Sequence, residues 1–256
     1  MNIGIMQGRL SQPREGYQDC PFDWRREFTF LSKLGLSHIE WVVTKKSLGF
    51  NPCFREILVD YPIHTICADN LVDRRICDST YMEKNLKPIC EAALRNGIKS
   101  VSIPLLEESS VNGAPMRKDF CSILKEYTEE YKELEFWIEA ELEVSKLVKI
   151  LSVSDNVFVT YDTGNITSCG FEHCDYLSNI YERVRNVHLK DRTFGAKTVP
   201  PSEGDTDFKK VFKFLKQKNY NGIYTIQTAR EESGMEYQTI KKHKNILEEL
   251  YDEQSI

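Results

Sequence analysis

An aspartate and a histidine, each near the end of a short apolar run, are the residues of this 256-residue chain best placed to do chemistry. Asp162 follows the run 157–161, and His188 lies 26 residues later within the run 184–189. Short apolar runs of this kind are typical of buried strands. A carboxylate and an imidazole at the ends of neighbouring parallel strands are suitable ligands for a divalent metal. The other elements decide whether further ligands converge on this pair.

Strand and helix patterns alternate along the whole chain. The predicted strands are 3–6, 38–43, 63–68, 99–106, 135–140, 157–162, 184–189 and 222–227. The predicted helices are 22–34, 52–61, 80–96, 116–131, 143–151, 172–182, 207–218 and 234–251, with a polar loop over 11–21. Pro88 predicts a kink or a late start in the helix over 80–96. Alternation implies a parallel sheet, and eight repeats at this length favour one closed (β/α)8 TIM barrel over residues 1–256.

Composition and charge exclude several classes of protein. The hydrophobic fraction of 41% and charged fraction of 29% are those of a globular protein, and a net charge of -5 argues against nucleic-acid binding by bulk charge. No apolar run approaches the roughly 20 residues that span a membrane. The chain enters its first strand with no leader ahead of it, and its eight cysteines show no CxxC spacing. We therefore expect a cytoplasmic protein with reduced thiols, and neither a dinucleotide fingerprint nor a P-loop occurs.

Four polar residues fall at the last or next-to-last position of the last four predicted strands. They are Glu139, Asp162, His188 and Gln227, and Glu141 is the alternative to Glu139 if the register differs. In such barrels the active site lies at the carboxyl ends of the strands. Mixed oxygen and nitrogen ligands suit one divalent metal ion such as Mn²⁺, Mg²⁺, Co²⁺ or Zn²⁺.

The same segments carry a family resemblance over nearly the whole chain. The motifs are Asp162-Thr-Gly-Asn165, Val187-His-Leu-Lys-Asp191-Arg192, Glu203-Gly-Asp205 and Gly222-Ile-Tyr-Thr-Ile-Gln227-Thr-Ala-Arg230, with Met6–Leu10, Ile39–Trp41 and Ile66–Asp69 before them. Together they resemble the sugar phosphate isomerase/epimerase family with a xylose-isomerase-like TIM barrel, which is related to the apurinic endonucleases of family 2. The resemblance implies that Glu139, Asp162, His188 and Gln227 bind one metal ion. A three-metal nuclease site would need a histidine where Asn165 stands.

Gln227 departs from the family pattern, which has a glutamate there that acts as a second acid/base group. A glutamine cannot take and return a proton. A two-base epimerase would therefore need a substitute, and Glu141, Lys190 and Asp191 are the candidates. A one-base isomerisation with Glu139 as the base would survive the change, so the predicted catalytic residues are Glu139, Lys190 and Asp191.

Further polar residues near the predicted strand exits are expected to contact the substrate. They are Arg9, Glu40, His64, Asp69, Asn165, Arg192 and Arg230. Arg9, Arg192, Lys197 and Arg230 could hold a phosphate or carboxylate, or could be surface charges paired with acids. His64 is interpreted as a residue that lines the pocket, with a place in the core as the alternative.

The preferred hypothesis is a metal-dependent isomerase or epimerase that acts on a sugar, sugar phosphate or related polyol next to a carbonyl. Two alternatives stay open: a metal-dependent lyase, dehydratase or hydrolase, and a sugar-binding barrel impaired by the loss of the strand 8 carboxylate. The expected partner is a small-molecule sugar or sugar phosphate, without nucleic acid or membrane, and a homo-oligomer is left open.

Overall fold

The computed structural model describes residues 1–12, 14 and 20–254, and within them eight parallel strands close into a barrel. The barrel strands are β1 (Ile3–Met6), β2 (Ile39–Val42), β3 (Ile63–Cys67), β4 (Ser100–Leu105), β5 (Glu135–Ala140), β6 (Val157–Asp162), β7 (Val184–Leu189) and β10 (Ile223–Ile226). Their order around the barrel is β1-β10-β7-β6-β5-β4-β3-β2. The predicted single-domain (β/α)8 barrel is confirmed. Part of the loop predicted over 11–21, including Pro13 and Gly16, lies outside the described residues.

Helices connect successive strands around the outside of the barrel. They are α1 (Trp24–Lys33), α2 (Pro52–Arg55), α3 (Ser79–Asn85), α4 (Lys87–Arg95), α5 (Ala114–Glu130), α6 (Val144–Leu151), α7 (Thr163–Ser168), α8 (His173–Ile180), α9 (Phe208–Gln217) and α10 (Glu236–Asp252). The helix predicted over 80–96 is two helices that meet at Leu86, because Pro88 lies in the first turn of α4, where its missing N–H costs nothing. In the part of the chain that is described, no helix is long and apolar enough to cross a membrane.

A helix and a hairpin that were not predicted lie beside the strand ends of interest. Helix α7 begins directly after β6, where the Asp162 carboxylate caps it by accepting the Asn165 N–H at 2.8 Å. After β7 the chain forms a small antiparallel hairpin of β8 (Asp191–Arg192) and β9 (Thr198–Val199).

Side-chain alternation divides the barrel strands into an apolar outer face and a mixed inner face. Ile5 and Trp41 are buried in the main core, which contains most of the buried apolar side chains. A smaller apolar cluster of Trp137, Phe158 and Ile223 belongs to the first halves of β5, β6 and β10. A third cluster, of Met6, Val42 and Cys67, lies at the carboxyl ends of β1, β2 and β3, so the polar side chains at that end of the barrel come mainly from β5, β6 and β7.

Candidate metal centre

Glu139, Asp162 and His188 converge at the carboxyl ends of β5, β6 and β7. One ligand atom from each lies within 4.8 Å of the other two. His188 Nδ1 is 3.7 Å from Glu139 Oε2 and 3.7 Å from Asp162 Oδ2. Asp162 pairs directly with His188 in the β6–β7 register, which explains why side chains 26 residues apart meet. The structure thus brings together three of the four residues expected to bind metal around one point.

The Glu40 carboxylate fixes the imidazole of His188 on the side away from Glu139 and Asp162. Its Nε2 lies 2.8 Å from Glu40 Oε2, which also accepts a hydrogen bond from Asn186 Nδ2 at 2.8 Å. His188 Nδ1 is buried and has no hydrogen-bond partner in the described part of the chain. When the ring is neutral, this geometry places the proton on Nε2 and turns the Nδ1 lone pair towards Glu139 and Asp162. A histidine fixed by a carboxylate behind it, with its other nitrogen open towards two carboxylates, fits a divalent cation.

Burial and neighbouring charges shift the pKa values of Glu139, Asp162 and His188, and for the last two they act in opposite directions. Burial raises the pKa of Glu139, and the neighbouring Asp162 carboxylate raises it further. Burial also opposes the charge of Asp162, but Lys190 and His188 outweigh it and lower the pKa of Asp162. Burial disfavours a charged imidazole, but the carboxylate of Glu40 and its neighbours raise the pKa of His188 well above its usual value. Because Glu139 and His188 must be deprotonated to bind a metal, cation binding there releases protons.

Lys190 and Gln227 lie on one side of the cluster. The Lys190 ammonium is 3.2 Å from Asp162 Oδ2, 3.4 Å from Gln227 Oε1 and 3.5 Å from Asn165 Oδ1. Gln227, just past the end of β10, is 5% exposed. Lys190 is therefore in reach of a substrate at the centre, and ligation of a metal by Gln227 stays a prediction.

Asn165 and Arg192 connect Glu139 to Glu141, at the mouth of the barrel, through hydrogen bonds. Asn165 Nδ2 donates to Glu139 Oε1 at 2.9 Å, which leaves Oε2 of that glutamate turned towards His188. Arg192 Nη1 donates to Asn165 Oδ1 at 3.0 Å and to Glu141 Oε1 at 2.9 Å. Glu141, the register alternative to Glu139, is thus paired with Arg192 at the rim.

Three more predicted substrate contacts lie at the same end of the barrel. Arg9 and Arg230 line a cavity of about 310 Å³ that also reaches Lys190 and Gln227. Asp69 begins a 3₁₀ turn shortly after β3 ends.

The structure does not place Asp191 in the cluster, and this corrects its expected catalytic role. Its fully buried carboxylate accepts the backbone N–H groups of Ser202 at 2.8 Å, Gly204 at 3.0 Å and Thr206 at 3.1 Å. It follows Lys190 directly, so alternation turns it to the opposite face. Asp191 instead holds the loop that follows β9.

His64 is also misplaced by the sequence interpretation. It is the second residue of β3, and its ring lies 5.3 Å from that of His38 and 5.6 Å from that of Trp137. These contacts place it at the amino-terminal end of the barrel, opposite the metal centre, because strand β3 begins there. It is exposed rather than part of the core.

The role of Glu40 differs from the substrate contact that was expected. Its side chain is completely buried and holds His188. Asn186, which donates a hydrogen bond to Glu40, was not among the predicted site residues. The available signal was strand parity, since Asn186 and His188 are two apart on β7 and share a face.

Comparison with known proteins supports the fold. The family model described as "Xylose isomerase-like TIM barrel" matches residues 77–250. Inosose dehydratase from Clostridium botulinum (strain Eklund 17B / Type B) is 31% identical over 106 residues, which cover 33% of this chain and 35% of that protein. Inosose dehydratase from Clostridium tetani is 31% identical over 124 residues, covering 39% and 41%. The aligned part thus spans well under half the length of these curated relatives.

Solved structures share the fold over the full length. The IOLI protein, whose structure holds a zinc atom, superposes with a TM-score of 0.75 at 15% identity, covering 100% of this chain and 99% of that one. An L-ribulose 3-epimerase gives a TM-score of 0.74 at 14% identity, covering 98% and 95%. The probable 3-DHS dehydratase AsbF from Bacillus anthracis gives a TM-score of 0.71 at 11% identity, covering 97% of this chain and 99% of that one. Since the family model covers more than half of the chain, the protein belongs to the xylose isomerase-like TIM barrel family.

Proposed function

We propose that this protein is a metal-dependent enzyme that removes a proton from the carbon next to the carbonyl of a sugar or related polyol. The observation that carries the proposal is the open Nδ1 of His188, buried 3.7 Å from both Glu139 and Asp162. A divalent cation bound by these three residues would polarise the substrate carbonyl and so acidify the neighbouring C–H. The zinc atom in the structure of the IOLI protein supports a metal in this fold.

Glu139 is the base in this proposal. Burial raises the pKa of its carboxyl group, and a base with a raised pKa holds a proton taken from carbon more firmly. Asn165 fixes one oxygen of Glu139 and leaves the other facing the centre. The base is therefore positioned before the substrate arrives, as efficient proton transfer requires.

Dehydration is the reaction that a site with Glu139 as its single base supports best. Glu139 takes the proton, the C–H electrons form a carbon–carbon double bond, and the C–O bond to the neighbouring hydroxyl breaks. Lys190 protonates that hydroxyl as it leaves as water. The deprotonated carbon keeps its own hydroxyl, so the product is an enol, which takes up a proton from water at the other carbon of the double bond and loses its O–H proton to become a ketone. Glu139 then loses its proton and Lys190 regains one, which restores the starting state. Gln227 cannot serve as a second base, so two-base epimerisation is disfavoured. The dehydratases among the relatives support this choice, and an inosose is a suitable first substrate.

One-base isomerisation is the second candidate, and it keeps the function expected from the sequence. It needs Glu139 to take a proton from one carbon and return it to the next on the same face. Asn165 supports this route, because it holds Glu139 in a single orientation beside the substrate. An L-ribulose 3-epimerase shares the fold, which supports a ketose as a second kind of substrate.

Turnover in deuterated water tests the proposal. The metal-loaded protein is incubated with an inosose and a panel of ketoses, and products are followed by proton NMR and mass spectrometry. Loss of water with deuterium next to the carbonyl indicates dehydration, and a converted sugar that keeps its water indicates isomerisation. Dehydration without deuterium in the product would contradict proton abstraction, because the ketone takes its new proton from water.

A further inference from the structure

A chain of buried hydrogen bonds approaches the metal centre from inside the barrel. It begins at Thr225 on β10, whose hydroxyl donates to Asn186 Oδ1 at 2.9 Å. Asn186 Nδ2 donates to Glu40 Oε2 at 2.8 Å, and the same oxygen lies 2.8 Å from His188 Nε2. All four side chains are completely buried, so bulk water does not compete for these bonds.

The Asn186 amide is oriented from both ends. A side-chain amide accepts through its oxygen and donates through its nitrogen, so turning it over reverses both contacts. In the reversed orientation its oxygen would face the Glu40 carboxylate, which is also an acceptor. The carboxylate therefore selects Nδ2 at one end, and the Thr225 proton satisfies Oδ1 at the other.

The single proton of the Thr225 hydroxyl is committed to Asn186. An amide oxygen carries no hydrogen, so the hydroxyl must be the donor in this pair. Its other neighbour is His38 Nε2, at the longer distance of 3.4 Å. A Cβ at Gly4 would clash with the His38 ring, so glycine is needed there to let His38 reach Thr225. The hydroxyl is thus held between two partners in the barrel interior.

We propose that Thr225 is a positioning residue for the metal-binding nitrogen of His188. Its hydroxyl holds the Asn186 amide, which in turn holds the Glu40 carboxylate against Nε2 of the imidazole. Once that carboxylate is displaced, the ring is free to rotate or to change tautomer, and Nδ1 no longer faces the cation. The effect on metal affinity rests on the proposed function, but the coupling between Thr225 and Glu40 does not.

Calorimetric titration with Mn²⁺ compares Thr225→Val, which keeps the branched shape without the hydroxyl, with Thr225→Ser, which keeps the hydroxyl. We expect Thr225→Val to bind Mn²⁺ about tenfold more weakly than the wild type, at the lower end of the effects of groups that orient a metal-bound histidine. Thr225→Ala also lacks the hydroxyl and should lose as much, whereas Thr225→Ser should bind like the wild type. Wild-type affinity in folded Thr225→Val, or an equal loss in Thr225→Ser, would overturn the proposal.

Thr160→Val is the matched control. Thr160 lies beside Asn186 on the other neighbouring strand, in the β6–β7 register, and is also buried. Its hydroxyl, however, pairs with Ser102 Oγ at 3.3 Å. The control should therefore bind Mn²⁺ like the wild type. A loss equal to that of Thr225→Val would assign the effect to packing of the barrel interior and overturn the positioning role.

Thermal unfolding of the metal-free protein separates this proposal from the proposed function. A double-mutant cycle combines Thr225→Val with Glu40→Leu, and the two losses in Tm should not add, because each change breaks the same hydrogen-bond chain. Non-additive losses in a protein that binds no Mn²⁺ would support the positioning of Glu40 by Thr225 and reject the metal-dependent function. Additive losses would reject the positioning role, whatever the metal content of the wild type.

Discussion

Two buried histidines at opposite ends of the barrel show how differently the same side chain is used. His38, at the amino-terminal end, contacts Ser37 Oγ through Nδ1 at 2.8 Å and Thr225 Oγ1 through Nε2 at 3.4 Å. Burial lowers the pKa of His38 to about 3. His188, at the carboxyl-terminal end, has one nitrogen held by Glu40 and the other open towards carboxylates, and its pKa is raised.

This difference shows that burial alone does not make a histidine suitable for binding a metal ion. Both rings are shielded from water, yet one is satisfied by neutral hydroxyls and the other is surrounded by acids. A satisfied, neutral ring stabilises the fold, whereas an open nitrogen among carboxylates is arranged for a cation. The predictions below test this contrast, beginning with the largest expected effect.

Glu139→Gln should abolish most of the proton exchange, because the amide can still ligate but cannot act as a base. We expect a fall of about 10²- to 10⁴-fold in deuterium exchange. Glu135→Gln is the matched control, since Glu135 lies on the same face of β5 at the other end and accepts from Trp137 Nε1 at 2.8 Å. Equal exchange in both variants would contradict the role of Glu139.

Glu40→Leu should weaken metal binding, because His188 then loses the group that fixes its tautomer. Changes of this kind cost about 10- to 100-fold in affinity. Glu40→Gln should lose less, since its amide oxygen can still accept from Nε2. Metal titration monitored by calorimetry compares the two variants, and unchanged affinity in Glu40→Leu would show that the tautomer is set in another way.

Gln227→Glu should tighten metal binding by about tenfold, because it adds a negative ligand beside Asp162 and Glu139. The exposed Gln217→Glu adds the same charge at the end of α9 and serves as the control. If the new carboxylate also acts as a second base, epimerised products appear. An identical affinity change in both variants would argue against a place for Gln227 at the metal.

The contribution of two buried, neutral histidines to stability should fall as the pH falls from about 6.5 towards 4. Burial lowers the pKa of His173 to about 4 and that of His38 to about 3, so the unfolded chain binds protons first. Stability from these neutral rings is full above the unfolded pKa of about 6.5 and is lost below it. His173→Gln should reduce the slope of Tm against pH by a few degrees. An unchanged slope would mean that other groups control it.

The sequence predicted the barrel and the convergence of Glu139, Asp162 and His188, because strand ends and side-chain parity are local properties. It did not predict α7, whose Thr163-Gly164-Asn165 start is a poor helix former that depends on the Asp162 cap. It assigned His64 to the wrong end although the predicted strand 63–68 begins where β3 begins, because the second residue of that strand was treated as a residue at its exit. The contact between Glu40 and His188 joins residues 148 apart, so only the closed barrel shows it.

Elemental analysis of purified protein after dialysis against Mn²⁺ or Zn²⁺ tests the central claim most directly. The wild type and His38→Asn should retain about one divalent ion per chain, and His188→Ala should retain essentially none, since three ligands are needed for such a site. Circular dichroism confirms that all three proteins are folded. Full metal content in folded His188→Ala, or none in the wild type, would contradict the account.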